Sequence, residues 1–106
     1  MLPAQDFMDK VEALRVRVGF ALPVTSAARC PKHNRVVSGT GDDGPHTTGR
    51  SIDFGISRQR AYTVMREAFA LGFTGIGVQQ KGDSRFLHLD DLPDAPGQPR
   101  PTIWSY

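Results

Sequence analysis

The chain has a single cysteine, Cys30, so no disulfide can close within it and no cysteine-rich zinc site can form. Histidine is almost as scarce, with only His33, His46 and His88. No apolar run approaches the roughly 20 residues of a membrane-spanning helix, so no membrane insertion is expected. The opening Met-Leu-Pro-Ala-Gln-Asp has neither the basic start nor the apolar stretch of a secretory signal. The expectation is a protein made in the cytoplasm without a signal peptide, which reaches any external substrate by another route. A strong excess of one charge is also missing: 13 basic against 11 acidic residues give a net charge of +2, and the pI is about 9.0. The basic residues are scattered and lack motif support, which argues against a nucleic-acid partner. A mild attraction to anionic polymers, cell-wall material among them, is the use such a charge fits.

With 106 residues, 39% hydrophobic and 23% charged, the chain is read as one globular domain spanning 1–106. Phe7, Val11, Leu14 and Val18 recur at helical spacing, with Asp6 placed to cap the start and Gly19 at the end. Val24-Thr25-Ser26 is extended. Residues 38–49 carry four glycines and a proline and form a long loop, of the kind that is functional or mobile in small domains. Ile52-Asp53-Phe54 follows as a strand, with Asp53 facing away from its two apolar neighbours. Ser57 caps a second helix whose stripe is Ala61, Val64, Met65, Ala68 and Phe69, and Gly72 ends it. Ile76-Gly77-Val78 and Phe86-Leu87-His88-Leu89-Asp90, joined by Lys81-Gly82-Asp83-Ser84, form an antiparallel hairpin. Prolines 93, 96, 99 and 101 make residues 93–106 an extended C-terminal wrap. The order predicts an α+β fold: a small antiparallel sheet with two main helices packed on it. A monomer is expected.

A catalytic zinc takes three protein ligands from His and Asp/Glu and keeps a fourth position for water. His46 and Asp53 are separated by six residues with Gly49 between them, so a loop that turns at Gly49 and enters a strand can bring both to one point. The third ligand is then His88. Strand periodicity puts Phe86, His88 and Asp90 on one face and Leu87 and Leu89 on the other. The zinc site therefore lies on the sheet. His33 is assigned a structural part, since the ligand set is complete without it, and Cys30 that of a small buried residue.

The stretch Gly44-Pro-His-Thr-Thr-Gly-Arg-Ser-Ile-Asp53 resembles the Ser-x-His-x-x-Gly-x-Ala-x-Asp signature of the zinc D-alanyl-D-alanine carboxypeptidases. That family shares its fold with lysostaphin-type peptidases and the hedgehog domain. Upstream, Thr25-Ser-Ala-Ala-Arg-Cys-Pro-Lys-His-Asn34 looks like the family's Ser-x-x-Arg segment with a His-Asn pair. Downstream, Gly72-Phe-Thr-Gly-Ile-Gly77 and Phe86-Leu-His-Leu-Asp90 resemble its Gly-Ile-Gly and His-x-Asp strands. Trp104-Ser-Tyr106 is similar to the endings of phage-type members. The resemblance implies that His46, Asp53 and His88 are the zinc ligands. It also implies that Arg29 sits near the substrate carbonyl or carboxylate, where a guanidinium fork suits a carboxylate and a developing negative charge.

Three positions depart from the family pattern. Gly44 replaces Ser and Ser51 replaces Ala, both small exchanges. Arg85 stands three residues before the last zinc histidine, where many relatives carry the acid that serves as general base. Asp90 is the substitute expected here, with a second possibility that it orients His88 instead; Asp83 is the fallback base. The function implied is metal-assisted hydrolysis of peptide bonds next to D-amino acids in peptidoglycan stem peptides, by a carboxypeptidase or an endolysin-type endopeptidase. The setting implied is the cell wall, with the chain a phage or prophage endolysin or a part of a virion. The alternative is a catalytically inactive zinc-binding module, as in the hedgehog domain.

Overall fold

The computed structural model describes residues 4–26 and 49–106. Helix α1 (Gln5–Val18) buries Phe7, Val11 and Leu14 and stops at Gly19, whose φ of 75° is the left-handed conformation that ends helices. Its start differs from expectation. Ala4 is the N-cap, with no side-chain cap bond, and Asp6 lies inside the first turn. There the Asp6 carboxylate accepts two hydrogen bonds from Arg50, at 2.8 and 2.7 Å. Arg50 also donates to Asp91 at 2.8 Å through two nitrogens, and Lys10 reaches Asp91 at 3.1 Å. These contacts tie α1 to the chain just before one strand and just after another.

Helix α2 (Arg58–Leu71) begins at Ser57, which occupies the N-cap position without a side-chain bond, and ends at Gly72 with φ 85°. Ala61, Val64 and Ala68 are its buried residues. Phe69, expected in the same stripe, is 59% exposed. At 3.6 residues per turn it lies about 80° round the helix from Ala61, on the rim of the buried face.

Five strands are described: β1 (Val24–Ser26), β2 (Ser51–Phe54), β3 (Gly75–Gln79), β4 (Phe86–Asp90) and β5 (Thr102–Ser105). They form one sheet in the order β1-β2-β4-β3-β5. The first three pairings are antiparallel, and β3 and β4 form the expected hairpin. The β3–β5 pair is parallel, so the sheet is mixed rather than wholly antiparallel. The cause is topological. β4 runs opposite to β3 and ends where β3 begins, as the Gly75–Asp90 pairing shows. A strand entered from that end on the far side of β3 must run alongside it, and Thr102 duly pairs with Gly75. Within the C-terminal segment expected as an extended wrap, Ala95 and Gln98 bridge across a turn, and the last part is an edge strand.

Both helices pack on one face of this sheet. Ile52, Phe54, Ile76, Leu87 and Leu89 point into that layer and meet Phe7, Leu14, Val64 and Ala68. Phe7 and Phe73 pack edge to face, with ring centroids 6.0 Å apart. The result is an α+β architecture. Strand alternation sends Ser51, Asp53, Gly75, Gly77, His88 and Asp90 to the opposite face.

Candidate active site

The site is built on that second face, where β2 and β4 lie side by side with Asp53 paired to His88 across the strands. Opposed residues of adjacent strands have their Cβ atoms about 5 Å apart. The carboxylate and imidazole therefore converge without any loop geometry, and Asp53 Oδ1 stands 3.0 Å from His88 Nδ1. On the other side of the ring, His88 Nε2 lies 2.7 Å from Asp90 Oδ2. Asp90 is 0% exposed, His88 1% and Asp53 8%.

A carboxylate buried to that degree needs a partner, and Asp90 has a strong one. Arg100 donates to Oδ1 through Nε at 2.9 Å and to Oδ2 through Nη2 at 2.8 Å, a two-pronged bond across the chain. Burial pushes the Asp90 carboxyl up, but the hydrogen bonds from His88 and Arg100 outweigh it and hold its pKa at about 2. Burial likewise opposes the imidazolium form of His88. The bonds to Asp53 and Asp90 exceed that penalty and raise its pKa above the ordinary imidazole value.

The Gly-Ile-Gly strand makes room for this arrangement. A Cβ at Gly75 would collide with the Asp90 carboxylate, and one at Gly77 would come within 2.7 Å of Trp104 Nε1. Trp104 on β5 packs its ring 5.1 Å from that of His88 and carries the Arg100 guanidinium 5.1 Å from its own centroid. The two glycines thus clear the face on which the histidine, the aspartate and the tryptophan meet.

The donor set suits zinc. Two ligand atoms on a tetrahedral zinc, each about 2.1 Å from it, stand about 3.4 Å apart. The 3.0 Å between Asp53 Oδ1 and His88 Nδ1 is close to that separation. With the Nε2 proton directed at Asp90, loss of the Nδ1 proton would leave a lone pair on the side of Asp53 for a metal. Among the described residues no group of three or more His, Cys, Asp or Glu is arranged to hold a metal ion. The expected third ligand, His46, lies outside the described residues, as do Arg29, His33 and Cys30.

The two candidate bases fare differently from expectation. Asp90 is on the expected face beside His88, but at Nε2, the ring nitrogen turned away from Asp53, and both its oxygens are engaged. That placement suits bracing the imidazole and does not suit collecting a proton from a group between Asp53 and Nδ1. Asp83 is exposed in the β3–β4 turn and lines a hollow with Gly55, Ser57, Arg58 and Arg85 that includes neither Asp53 nor His88. Arg85 itself donates from Nε to the Gly82 carbonyl at 2.9 Å, so the position of the usual acid is given over to the turn. Arg100 had no signal in the sequence. It sits between Pro99 and Pro101, two residues before the last strand, with nothing in its spacing to connect it to Asp90.

No curated protein and no solved structure matches the chain. The sequence profile of peptidase M15 does match, over residues 2–90. That span contains both helices and β1 to β4, with Asp53 and His88, and it ends at Asp90. It covers most of the chain, and the α+β architecture agrees with it: this protein belongs to the peptidase M15 family, the family of the zinc D-Ala-D-Ala carboxypeptidases.

Proposed function

We propose that this peptidase is a zinc enzyme that hydrolyses peptide bonds beside D-amino acids in peptidoglycan stem peptides. The observation that carries the zinc assignment is the Asp53–His88 pair, with Oδ1 and Nδ1 3.0 Å apart on adjacent strands. His46, seven positions before Asp53 in sequence, completes the ligand set in this reading. Bound there, zinc supplies a water of lowered pKa and polarises the scissile carbonyl. Asp53 and His88 hold that chemistry on a rigid two-strand platform, so little reorganisation is needed on reaction. Asp90 keeps the Nε2 proton in place and so presents Nδ1 toward Asp53. Arg29 is proposed to bind the substrate carboxylate or carbonyl. The peptidoglycan substrate follows from the family and is consistent with the mild positive charge. Action at the cell wall, as a phage or prophage product, belongs to the same proposal.

A second reading, a zinc-binding module without hydrolysis, is favoured by one observation. Arg85 occupies the position of the usual acid, and Asp90, its expected substitute, is fully engaged. One experiment separates the two. The purified protein should carry about one zinc per chain, and incubation with peptidoglycan should yield new stem-peptide fragments by mass spectrometry. Zinc without fragments selects the module; no zinc at all rejects both.

A further inference from the structure

The family match stops at Asp90, yet the residues that close around His88 continue beyond it. His88 has two ring nitrogens, and the partner of one decides which lone pair the other offers. Here that partner is Asp90, and Asp90 is itself held by a residue from the C-terminal segment. Arg100 spans both carboxylate oxygens at 2.9 and 2.8 Å, and its side chain is only 7% exposed. It is fixed in turn. Its backbone N–H donates to Asp94 at 3.0 Å, its Nη1 donates to the Pro99 carbonyl at 2.7 Å, and its guanidinium lies over Trp104. Trp104 also packs on His88, so the segment touches the imidazole directly and through Asp90.

We propose that Arg100 is a positioning residue for metal binding: it locks the Asp90 carboxylate so that His88 presents Nδ1 toward Asp53. The physical need is specific. A carboxylate bonded only to Nε2 can rotate about its last side-chain torsion, which is broad and soft. A planar five-donor fork that bonds both oxygens removes that freedom, and an ammonium group cannot do so. The long 3.4 Å approach of the Leu92 N–H to Oδ1 is no replacement. Arg100 and Trp104 therefore belong to the surroundings of the proposed metal site, beyond any role in strapping the sheet edge. This inference rests on the zinc reading above.

The test measures zinc affinity of the folded full chain by competition with a chelator at a temperature well below melting. Loss of a residue that orients a metal ligand typically weakens affinity by about 10- to 100-fold. Arg100→Gln should fall in that range, and Arg100→Lys should fall between it and the parent. The cycle with Asp90→Asn gives the readout that a purely structural ion pair would not move. If Arg100 acts through Asp90, Arg100→Gln should cost little further affinity in the Asp90→Asn background. Affinity within twofold of the parent in Arg100→Gln overturns the inference; should that variant not fold, the same result in Arg100→Lys overturns it. An Arg100→Gln loss that persists undiminished on top of Asp90→Asn overturns the route through Asp90. A parent chain that takes up no zinc overturns the metallopeptidase reading, and this inference with it.

Discussion

Leu89 and Asp90 are neighbours in the chain and both 0% exposed, yet they are buried for opposite reasons. Leu89 faces the helices among Ile52, Ile76, Phe7 and other apolar side chains, and its burial is favourable in itself at about 25 cal/mol per Å². Asp90 faces away from the helices, and its burial is unfavourable until His88 and Arg100 supply bonds. One face of the sheet is held together by area, the other by completeness of pairing. The first face tolerates a change of shape if volume is kept. The second tolerates little, because each group lost strands another buried one. Stability and chemistry are thus separated across a single layer of backbone.

The largest expected effects test that separation directly. Leu89→Ala should destabilise the fold by about 2 to 5 kcal/mol while the folded fraction keeps its zinc. His88→Ala should do the reverse in kind, with stoichiometric zinc lost because one of the three proposed ligands is gone. Urea titration and metal analysis of both variants check the pair, and zinc loss from folded Leu89→Ala would join the two faces after all.

Acid should sharpen the comparison next, since of the two sheet faces the paired one carries the buried titratable groups. Asp90 has a pKa lowered from 3.8 to about 2, so its contribution is complete above the unfolded value and is lost as pH falls through about 2. His88 works with the opposite sign. Its raised pKa adds stability to the zinc-free chain that is full below its ordinary value of 6.5 and fades as pH rises through the folded one. The zinc-free protein should therefore be most stable between about pH 4 and 6.5, as read from urea midpoints across pH. Asp90→Asn should flatten the limb between pH 4 and 2; an unchanged limb would show that the surface carboxylates Asp6, Glu12 and Glu67, also lowered, account for it.

The smallest effect concerns Ser51, whose hydroxyl is buried on the paired face and, among the described residues, has no hydrogen-bond partner. Removing an unpaired buried polar group costs nothing in lost bonds. Ser51→Ala should leave the melting temperature equal or slightly higher and zinc content unchanged. A clear drop in either would show that the hydroxyl does have a partner in the working site.

Much of this arrangement is legible in the sequence. Period-two alternation in Phe86-Leu87-His88-Leu89-Asp90 separates the faces of β4, because successive strand side chains must point in opposite directions. The same rule put Asp53 opposite Ile52 and Phe54, and Gly19 and Gly72 marked both helix ends through the left-handed backbone that glycine adopts freely. Helix periodicity erred only at the rim, where Phe69 lies at the edge of its stripe. What local pattern could not supply was anything that depends on which strands are neighbours. The pairing of Asp53 with His88, 35 residues apart, exists because β2 lies next to β4. The parallel run of β5 exists because β4 delivers the chain to the end at which β3 starts. Arg100 meets Asp90 for the same reason, and that meeting decides which histidine nitrogen Asp90 takes and which one Asp53 faces. Residue types and their faces follow from local sterics and were written in the sequence. The partner of each buried polar atom follows from strand order and register, and only the tertiary structure decided it.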